Sequence, residues 1–145
     1  MWALKAKLTD DRWVRFVLYW MIFDGYLTEM SGSGSDEKKL QWFFNNENEI
    51  KSLIPGCWGL GSPYAPISFV TLCNFAEVKD MRPGSIKVVR ITDRNNIEEV
   101  IRFIYQIRCN LFHGAKNVND PKDDGLVFYS GALLKSLIES WLAKF

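Results

Sequence analysis

Histidine is almost absent from this sequence, since His113 is the single one among 145 residues. Cysteine is scarce as well. Cys57, Cys73 and Cys109 cannot all pair within one chain, and they form no C-x-x-C or Cys/His grouping. A structural zinc site needs such ligands in close groups. We therefore predict no metal and no cofactor, and a reducing cytoplasm is the natural setting for the free thiols.

A strong net charge and a long apolar run are missing too. The formal net charge is +1, which indicates neither a strong nucleic-acid binder nor an acidic tail. The apolar run from Phe16 to Phe23 is eight residues long, whereas about 20 are needed to span a bilayer. The first residues turn polar at once and show no secretory signal. We therefore expect a cytoplasmic protein without a membrane segment.

Hydrophobic residues make up 48% of the chain and include six tryptophans, which is ample material for one core. We therefore predict a single domain over residues 1–145. The charges are unevenly distributed, because residues 79–116 hold eight basic and four acidic side chains, while residues 1–50 have a slight acidic excess. The basic excess fits either an anionic ligand near this segment or an ordinary solvated surface.

Apolar residues recur at helical spacing along most of the chain. Thr9 is the predicted N-cap of a first helix, with Asp10 and Asp11 in its first turn. The Ser/Gly stretch from Ser31 to Ser35 is typical of a flexible connection. Further on, the pattern predicts helices over 36–54, 66–78, 93–113 and 126–142, a short strand over 85–91 and a polar loop over 117–124.

The helix that Asp93 caps carries the most informative residues. One apolar stripe runs along it and contains an arginine, Arg108, whereas Arg102, Asn110 and His113 fall on the opposite side. An arginine in an apolar stripe must find a carboxylate, backbone carbonyls or an anionic ligand, because an unpaired buried charge is costly. The stripe is formed by Ile97, Val100, Ile101, Ile104, Ile107 and Leu111, and it predicts that this helix packs against the last one.

Arg108 and His113 together suit phosphodiester chemistry. A guanidinium holds phosphate in a bidentate fork without losing its charge, and an imidazole can move protons near neutral pH. The alternative is structural, since Gly114 and a cationic His113 are also typical of a helix end. Arg108 fits an ion-pair partner as well as a phosphate ligand, and Asn110 fits either a solvent-facing side chain or one that orients His113 or a substrate oxygen.

The stretch from Tyr105 to Lys116, with Arg108-Cys109-Asn110-Leu111-Phe112-His113 at its centre, resembles the signature end of HEPN domains, particularly the prokaryotic toxin and defence members. Their shared pattern is Arg, four to six residues, then His. Together with the helical pattern, the resemblance implies an all-α, HEPN-like, up-and-down bundle of four to five helices. It also implies a metal-independent endoribonuclease that cleaves single-stranded RNA in a toxin–antitoxin or phage-defence system.

The resemblance implies catalytic roles for Arg108 and His113, and Asn110 joins them as a candidate because it lies three residues before His113 on the helix. On a straight helix, residues 108 and 113 diverge by about 140°, so both reach one phosphate only if the helix unwinds before Gly114 or two copies meet across a twofold axis. Known HEPN nucleases resemble the second case, which implies a homodimer with a composite site. Arg102 and Lys116 are weaker candidates for RNA contacts, and a loop lysine such as Lys116 is more often an ordinary surface charge.

Two other classes of function stay open. One is a non-catalytic HEPN module that binds RNA, a nucleotide or a protein partner, such as an antitoxin or a defence-system subunit. The other is a purely structural helical dimer. Toxins controlled by nucleotidylation carry Tyr two residues after the His, where this chain has Ala115, which argues against that mode of control.

Overall fold

The computed structural model describes residues 11–46, 77–92, 96–112 and 121–142. These ranges hold four α-helices and one antiparallel two-stranded sheet, so this part of the chain is mostly helical, in agreement with the all-α class. None of the described helices is long and apolar enough to cross a bilayer. In chain order the elements are α1 (Arg12–Ser31), α2 (Asp36–Asn45), β1 (Glu77–Lys79), β2 (Val88–Arg90), α3 (Ile97–Phe112) and α4 (Pro121–Leu142).

Helix α1 begins at a different cap from the predicted one. Asp11 has extended backbone angles, and its carboxylate accepts hydrogen bonds from the amides of Trp13 and Val14 at 2.9 and 3.1 Å. Asp11 therefore lies at the N-cap and not in the first turn, because its carboxylate satisfies two amides that have no partner within the helix. Thr9 and Asp10 lie outside the described residues.

The predicted flexible connection is a defined turn between α1 and α2. Ser31 is the last residue of α1, and Gly32 takes the left-handed conformation (φ 65°) with its amide donating to the Thr28 carbonyl at 3.0 Å. Serine hydroxyls then support the turn, since the Ser31 hydroxyl accepts from the Ser33 amide and the Ser33 hydroxyl accepts from the Ser35 amide. This turn fixes where α2 starts.

Helix α2 begins at Asp36 as predicted, but it ends at Asn45 and not at Ile54. Both the backbone amide and the side-chain amide of Asn46 donate to the Trp42 carbonyl, at 3.0 and 2.8 Å, which satisfies a carbonyl in the last turn. Asparagine is a common residue where a helix stops. Residues 47–54 lie outside the described part.

Helices α1 and α2 form an antiparallel pair. The rings of Phe23 and Phe43 are 5.4 Å apart and nearly perpendicular, and nearer the turn Asp24 pairs with Lys39 at 3.0 Å. The connection between the two helices is only four residues long, Gly32 to Ser35, and such short connections favour antiparallel neighbours. The aromatic contacts anchor α2 on the buried face of α1.

Helix α4 packs chiefly against α1 and only lightly against α3, so the predicted packing of the last helix on the motif helix is present as a minor contact. Arg12 pairs with Asp124 at 2.9 Å, and further along Phe16 lies against Gly131. The two helices therefore run in the same direction, and the four described helices do not alternate strictly up and down. Gly131 of α4 lies directly against the backbone and ring of Phe16, so the two helices are in close contact there.

The start of α4 also differs from the prediction, because residues 121–124 belong to the helix and not to a polar loop. Pro121 lacks a backbone N–H and therefore suits a first helical turn, where that donor would have no partner. The apolar pattern of α4 is confirmed, since Leu126, Leu133, Leu134, Leu137 and Ile138 are all buried.

Strands β1 and β2 form a β-hairpin with Val78 opposite Val89. The predicted strand over 85–91 is confirmed at Val88–Arg90, whereas the predicted helix over 66–78 was wrong at its last two residues, which lie in β1. The remainder of that predicted helix lies outside the described residues. Val78 is 3% exposed, and Val89 packs against the core partly buried, so the hairpin contributes these two side chains to the core, whereas Lys79 and Arg90 are exposed.

Gly131 generates a testable prediction about α4. A Cβ at this position would lie 3.6 Å from the Cα and Cβ atoms of Phe16, an ordinary contact distance, whereas a Cβ at Gly25 of α1 would meet nothing within 4 Å. We expect Gly131→Ala and Gly25→Ala each to raise the free energy of unfolding by about 0.5–1 kcal/mol, because glycine is a poor residue in a helix interior.

Leucine at the same two positions separates packing from helix propensity. Gly131→Leu is expected to lower the free energy of unfolding by about 1–3 kcal/mol through overpacking against Phe16. Gly25→Leu should instead raise the free energy of unfolding, as Gly25→Ala does, because nothing lies close to that position. Urea denaturation of the four variants measures both effects. Equal stabilities for the two leucine variants would contradict the close contact of α4 with α1.

Candidate functional site

Helix α3 carries the motif and begins with Asn96 in the capping position. The Asn96 side-chain oxygen accepts from the Glu99 amide at 3.3 Å, and its carbonyl accepts from the Val100 amide. The predicted cap, Asp93, lies outside the described residues. Glu98 and Glu99 are in the first turn as predicted. The helix ends at Phe112, so Arg108, Cys109 and Asn110 occupy its last turns.

Arg108 finds the carboxylate that its place in the apolar stripe required. Its Nη1 atom lies 3.7 Å from Oδ2 of Asp36 in the first turn of α2, which is an ion-pair distance but too long for a hydrogen bond. The guanidinium lies 4.6 Å from the centre of the Phe112 ring. Among the described residues, its buried Nε atom has no hydrogen-bond partner, so Arg108 keeps unused donors.

Asp36 connects α3 to the α1–α2 pair. Its Oδ2 atom accepts a hydrogen bond from the Tyr105 hydroxyl at 3.0 Å, and Oδ1 lies 3.9 Å from the ammonium of Lys39. Burial raises the pKa of Tyr105, and Cys109 and Asp36 raise it further. The phenol is therefore a hydrogen-bond donor across the physiological range. The Asp36 carboxylate is thus shared between Lys39 and Arg108, at ion-pair distances of 3.9 and 3.7 Å that are both too long for a hydrogen bond.

Arg102, one of the candidate RNA contacts, is held by two carboxylates. Its Nη2 and Nη1 atoms donate to Glu37 at 2.9 and 3.3 Å, and its Nε atom donates to Glu98 at 3.2 Å. The hydrogen bond from Arg102 is the main reason why the pKa of Glu37 is lowered. With the guanidinium also over the Phe44 ring at 5.1 Å, the contacts of Arg102 favour its structural role.

Asn110 is 1% exposed and not solvent-facing. Its Nδ2 atom donates to the Lys79 carbonyl at 2.7 Å, and its Oδ1 atom accepts from the Met81 amide at 3.1 Å. The same oxygen accepts from Gln106 Nε2 at 3.0 Å. The amide thus pairs with the hairpin backbone as a strand would, and we call this contact the Asn110 clamp. The side of α3 opposite the apolar stripe is therefore covered at Gln106 and Asn110.

Arg108 and Asn110 contact different neighbours of α3. The guanidinium of Arg108 faces Asp36 of α2, whereas the amide of Asn110 faces the hairpin. Both lone pairs of the Asn110 oxygen are used, so one Nδ2 hydrogen is all that it could offer to an imidazole or a substrate. His113 and Lys116 lie outside the described residues, and the two predicted catalytic side chains that are described, Arg108 and Asn110, do not contact each other.

The hairpin turn contains a polar cluster that the sequence analysis missed. Asp80 is 5% exposed and accepts hydrogen bonds from the Arg82 guanidinium, the Arg82 amide and the Ser85 hydroxyl. The guanidinium, then the amide and the hydroxyl, hold the pKa of Asp80 well below its usual range. Pro83-Gly84 was a visible turn signal, but nothing in the sequence showed that Asp80 is buried.

Comparison with known proteins adds no relative, since no protein-family model, no curated protein and no solved structure matches this chain. Within the described ranges, no three His, Cys, Asp or Glu side chains are grouped closely enough to hold a metal ion. The residues that the geometry offers for chemistry are therefore Arg108 and its surroundings at the carboxyl end of α3. The HEPN resemblance stays a prediction.

Asp80 generates a prediction about pH and stability. The pKa of Asp80 is lower in the folded protein than the value of about 3.9 expected in the unfolded chain. The ionised carboxylate therefore contributes fully to folding stability above about pH 4, and this contribution is lost as the pH falls further. We expect Asp80→Asn to be less stable than wild type at pH 5–7, with a difference that narrows below about pH 4.

Urea denaturation at pH 7, 5 and 3 measures this difference. Glu77→Gln is the matched control, because Glu77 belongs to the same hairpin and pairs with Arg90 at 3.2 Å between two exposed side chains. Such a pair contributes about 1 kcal/mol at most. A difference between wild type and Asp80→Asn that is independent of pH would contradict the charge-based role of Asp80.

The Asn110 clamp generates a second prediction for this region. Asn110→Ala leaves the Met81 amide and the Lys79 carbonyl without partners, and we expect it to lower the free energy of unfolding by about 2 kcal/mol or more. Hydrogen exchange at the Met81 amide should accelerate strongly. The control is Asn46→Ala, which removes an exposed side-chain hydrogen bond and should leave Met81 exchange unchanged. Unaltered Met81 protection in Asn110→Ala would disprove the clamp.

Proposed function

We propose that this chain is a HEPN-type, metal-independent endoribonuclease that cleaves single-stranded RNA. The observation that carries the proposal is the state of Arg108, one turn before the end of α3. Its side chain is 23% exposed and its carboxylate partner is beyond hydrogen-bond distance. Its Nε atom has no hydrogen-bond partner within the described ranges. A guanidinium with donors to spare can bind a phosphate in a bidentate fork.

In the proposed reaction, the ribose 2′-oxygen attacks the adjacent phosphorus while His113 accepts the 2′-OH proton. The new P–O2′ bond forms as the P–O5′ bond breaks, and the 5′-oxygen leaves with a proton from a general acid. Arg108 stabilises the negative charge that develops on the phosphorane oxygens. The products are a 2′,3′-cyclic phosphate and a free 5′-hydroxyl, and no oxidant or metal is required by this balance.

The proposal includes the assembly as well as the chemistry. One chain supplies one histidine, whereas the reaction needs a base and an acid, so a homodimer with a composite site would provide both. An HEPN-like packing of two copies would bring their α3 ends together. An antitoxin or another defence-system subunit is the proposed regulator.

A non-catalytic RNA-binding module is the second candidate. It is favoured by Phe112, which is 49% exposed directly beside the Arg108 guanidinium. An exposed aromatic ring next to a cation suits stacking of an unpaired base above a bound phosphate. This arrangement would hold RNA without any proton transfer, and it would bind other single strands with similar affinity.

We expect purified protein to cut a mixed single-stranded RNA in the presence of EDTA and to leave 2′,3′-cyclic phosphate ends. Arg108→Ala and His113→Ala should each lower the rate about 100-fold or more, because each removes a group that acts in the transition state. The cyclic ends are measured by labelling the fragments before and after acid treatment.

Arg90→Ala is the matched control, because Arg90 is an exposed arginine with one acidic partner in the hairpin. It should cleave as wild type does, and circular dichroism should show equal helix content in all four proteins. Absence of cleavage by wild type, or equal cleavage by all variants, would disprove the catalytic proposal. Binding of the RNA without cleavage would favour the second candidate.

A further inference from the structure

The β-hairpin lies lengthwise along α3. At one end, the amide and hydroxyl of Thr92, which follows β2, donate to the Glu99 carboxylate in the first turn of α3 at 2.6 and 2.7 Å. At the other end, the backbone on both sides of Asp80 pairs with Asn110 in the last turns. The turn of the hairpin is therefore fixed beside the end of α3 that carries Arg108.

Arg82 is the charged side chain that the hairpin turn exposes beside the carboxyl end of α3. It follows Met81, whose amide is held by Asn110. Its guanidinium is oriented by the buried Asp80 carboxylate, with Nε donating at 3.0 Å and Nη2 at 2.6 Å. The Arg82 side chain is nevertheless 59% exposed. A guanidinium that is held by a buried carboxylate and still open to solvent is pre-organised for a second anion.

Arg82 and Arg108 lie at the same end of α3. Arg82 directly follows Met81, whose amide donates to Asn110 at 3.1 Å, and Asn110 is two residues after Arg108. Arg108 itself lies 3.8 Å from the Cys109 sulfur and 5.8 Å from the Tyr105 ring centre. The Asn110 clamp therefore holds the turn that carries Arg82 beside the helical turn that carries Arg108.

We propose that Arg82 is a second phosphate contact for single-stranded RNA, so that Arg82 and Arg108 bind two phosphates of one strand at the carboxyl end of α3. The identity of the ligand as RNA rests on the proposed function, while the pairing of the two arginines rests on the geometry. Arg82 does not reach the reacting atoms in this arrangement. It positions the strand and therefore affects binding and not the chemical step.

The test measures binding of a 2′-O-methyl single-stranded RNA, which cannot be cleaved, by fluorescence anisotropy over a series of salt concentrations. Arg82→Gln keeps a donor for Asp80 but removes the charge. We expect it to weaken binding about 5- to 10-fold. The slope of log affinity against log salt concentration should become shallower by the amount expected for the loss of one phosphate contact. With cleavable RNA, Arg82→Gln should raise KM and leave kcat unchanged.

Arg90→Gln is the matched control, because Arg90 has the same exposure and one acidic partner but lies in β2, at the opposite end of the hairpin from the turn. It should bind within about twofold of wild type, and its salt slope should not change. If Arg82→Gln has a lower melting temperature, the double variant Asp80→Asn/Arg82→Gln, which removes the buried charge as well, replaces it in the same measurement.

The outcomes separate the two proposals. Wild-type cleavage together with unchanged binding and an unchanged salt slope for folded Arg82→Gln would overturn the role of Arg82 and leave the nuclease intact. Binding that depends on Arg82, with no cleavage by wild type, would support the role of Arg82 and overturn the nuclease. A wild-type protein that does not bind the RNA would overturn the role of Arg82 as well.

Discussion

The buried amide of Asn110 is the contact on which the arrangement around α3 depends. It bonds to the hairpin backbone at the Lys79 carbonyl and the Met81 amide, and to Gln106 within its own helix. Because Asn110 and Gln106 are buried, loss of the amide would remove hydrogen-bond partners from a region with little access to water. The clamp therefore fixes the hairpin on α3, and with it Asp80, whose carboxylate holds the Arg82 guanidinium.

Each described arginine on or beside α3 has an acidic partner. Arg82 is paired with Asp80, and Arg102 with Glu37 and Glu98, whereas Arg108 lies at a longer distance from Asp36. The positive charges are therefore largely neutralised, and long-range attraction of RNA is weak. Binding of RNA at this surface would therefore depend on specific short-range contacts. Arg108 differs from Arg102 because its donors are not already used by carboxylates.

Sequence patterns were informative where a local rule decided the outcome. The described middle of the apolar stripe of α3 is buried at Val100, Ile101, Ile104 and Ile107, as its spacing predicted, and the partly buried Arg108 in that stripe meets a carboxylate, one of the partners predicted for it. Local rules failed where two residues competed for one role, as when Asp11 and not Thr9 capped α1. They failed again for β1, because the strand exists only through its pairing with β2, which lies about ten residues further along the chain.

The sequence by itself determined the helical nature of most described segments and the presence of an unusual arginine near the end of α3, since both follow from the periodicity of neighbouring residues. Tertiary structure alone decided that Asp36 is the partner of Arg108 and that α4 packs on α1 at Gly131. It also decided that the Asn110 amide forms hydrogen bonds with the backbone of the hairpin. Those contacts join residues far apart in the chain, and the hydrophobic pattern of a single segment does not encode which distant segment will cover it.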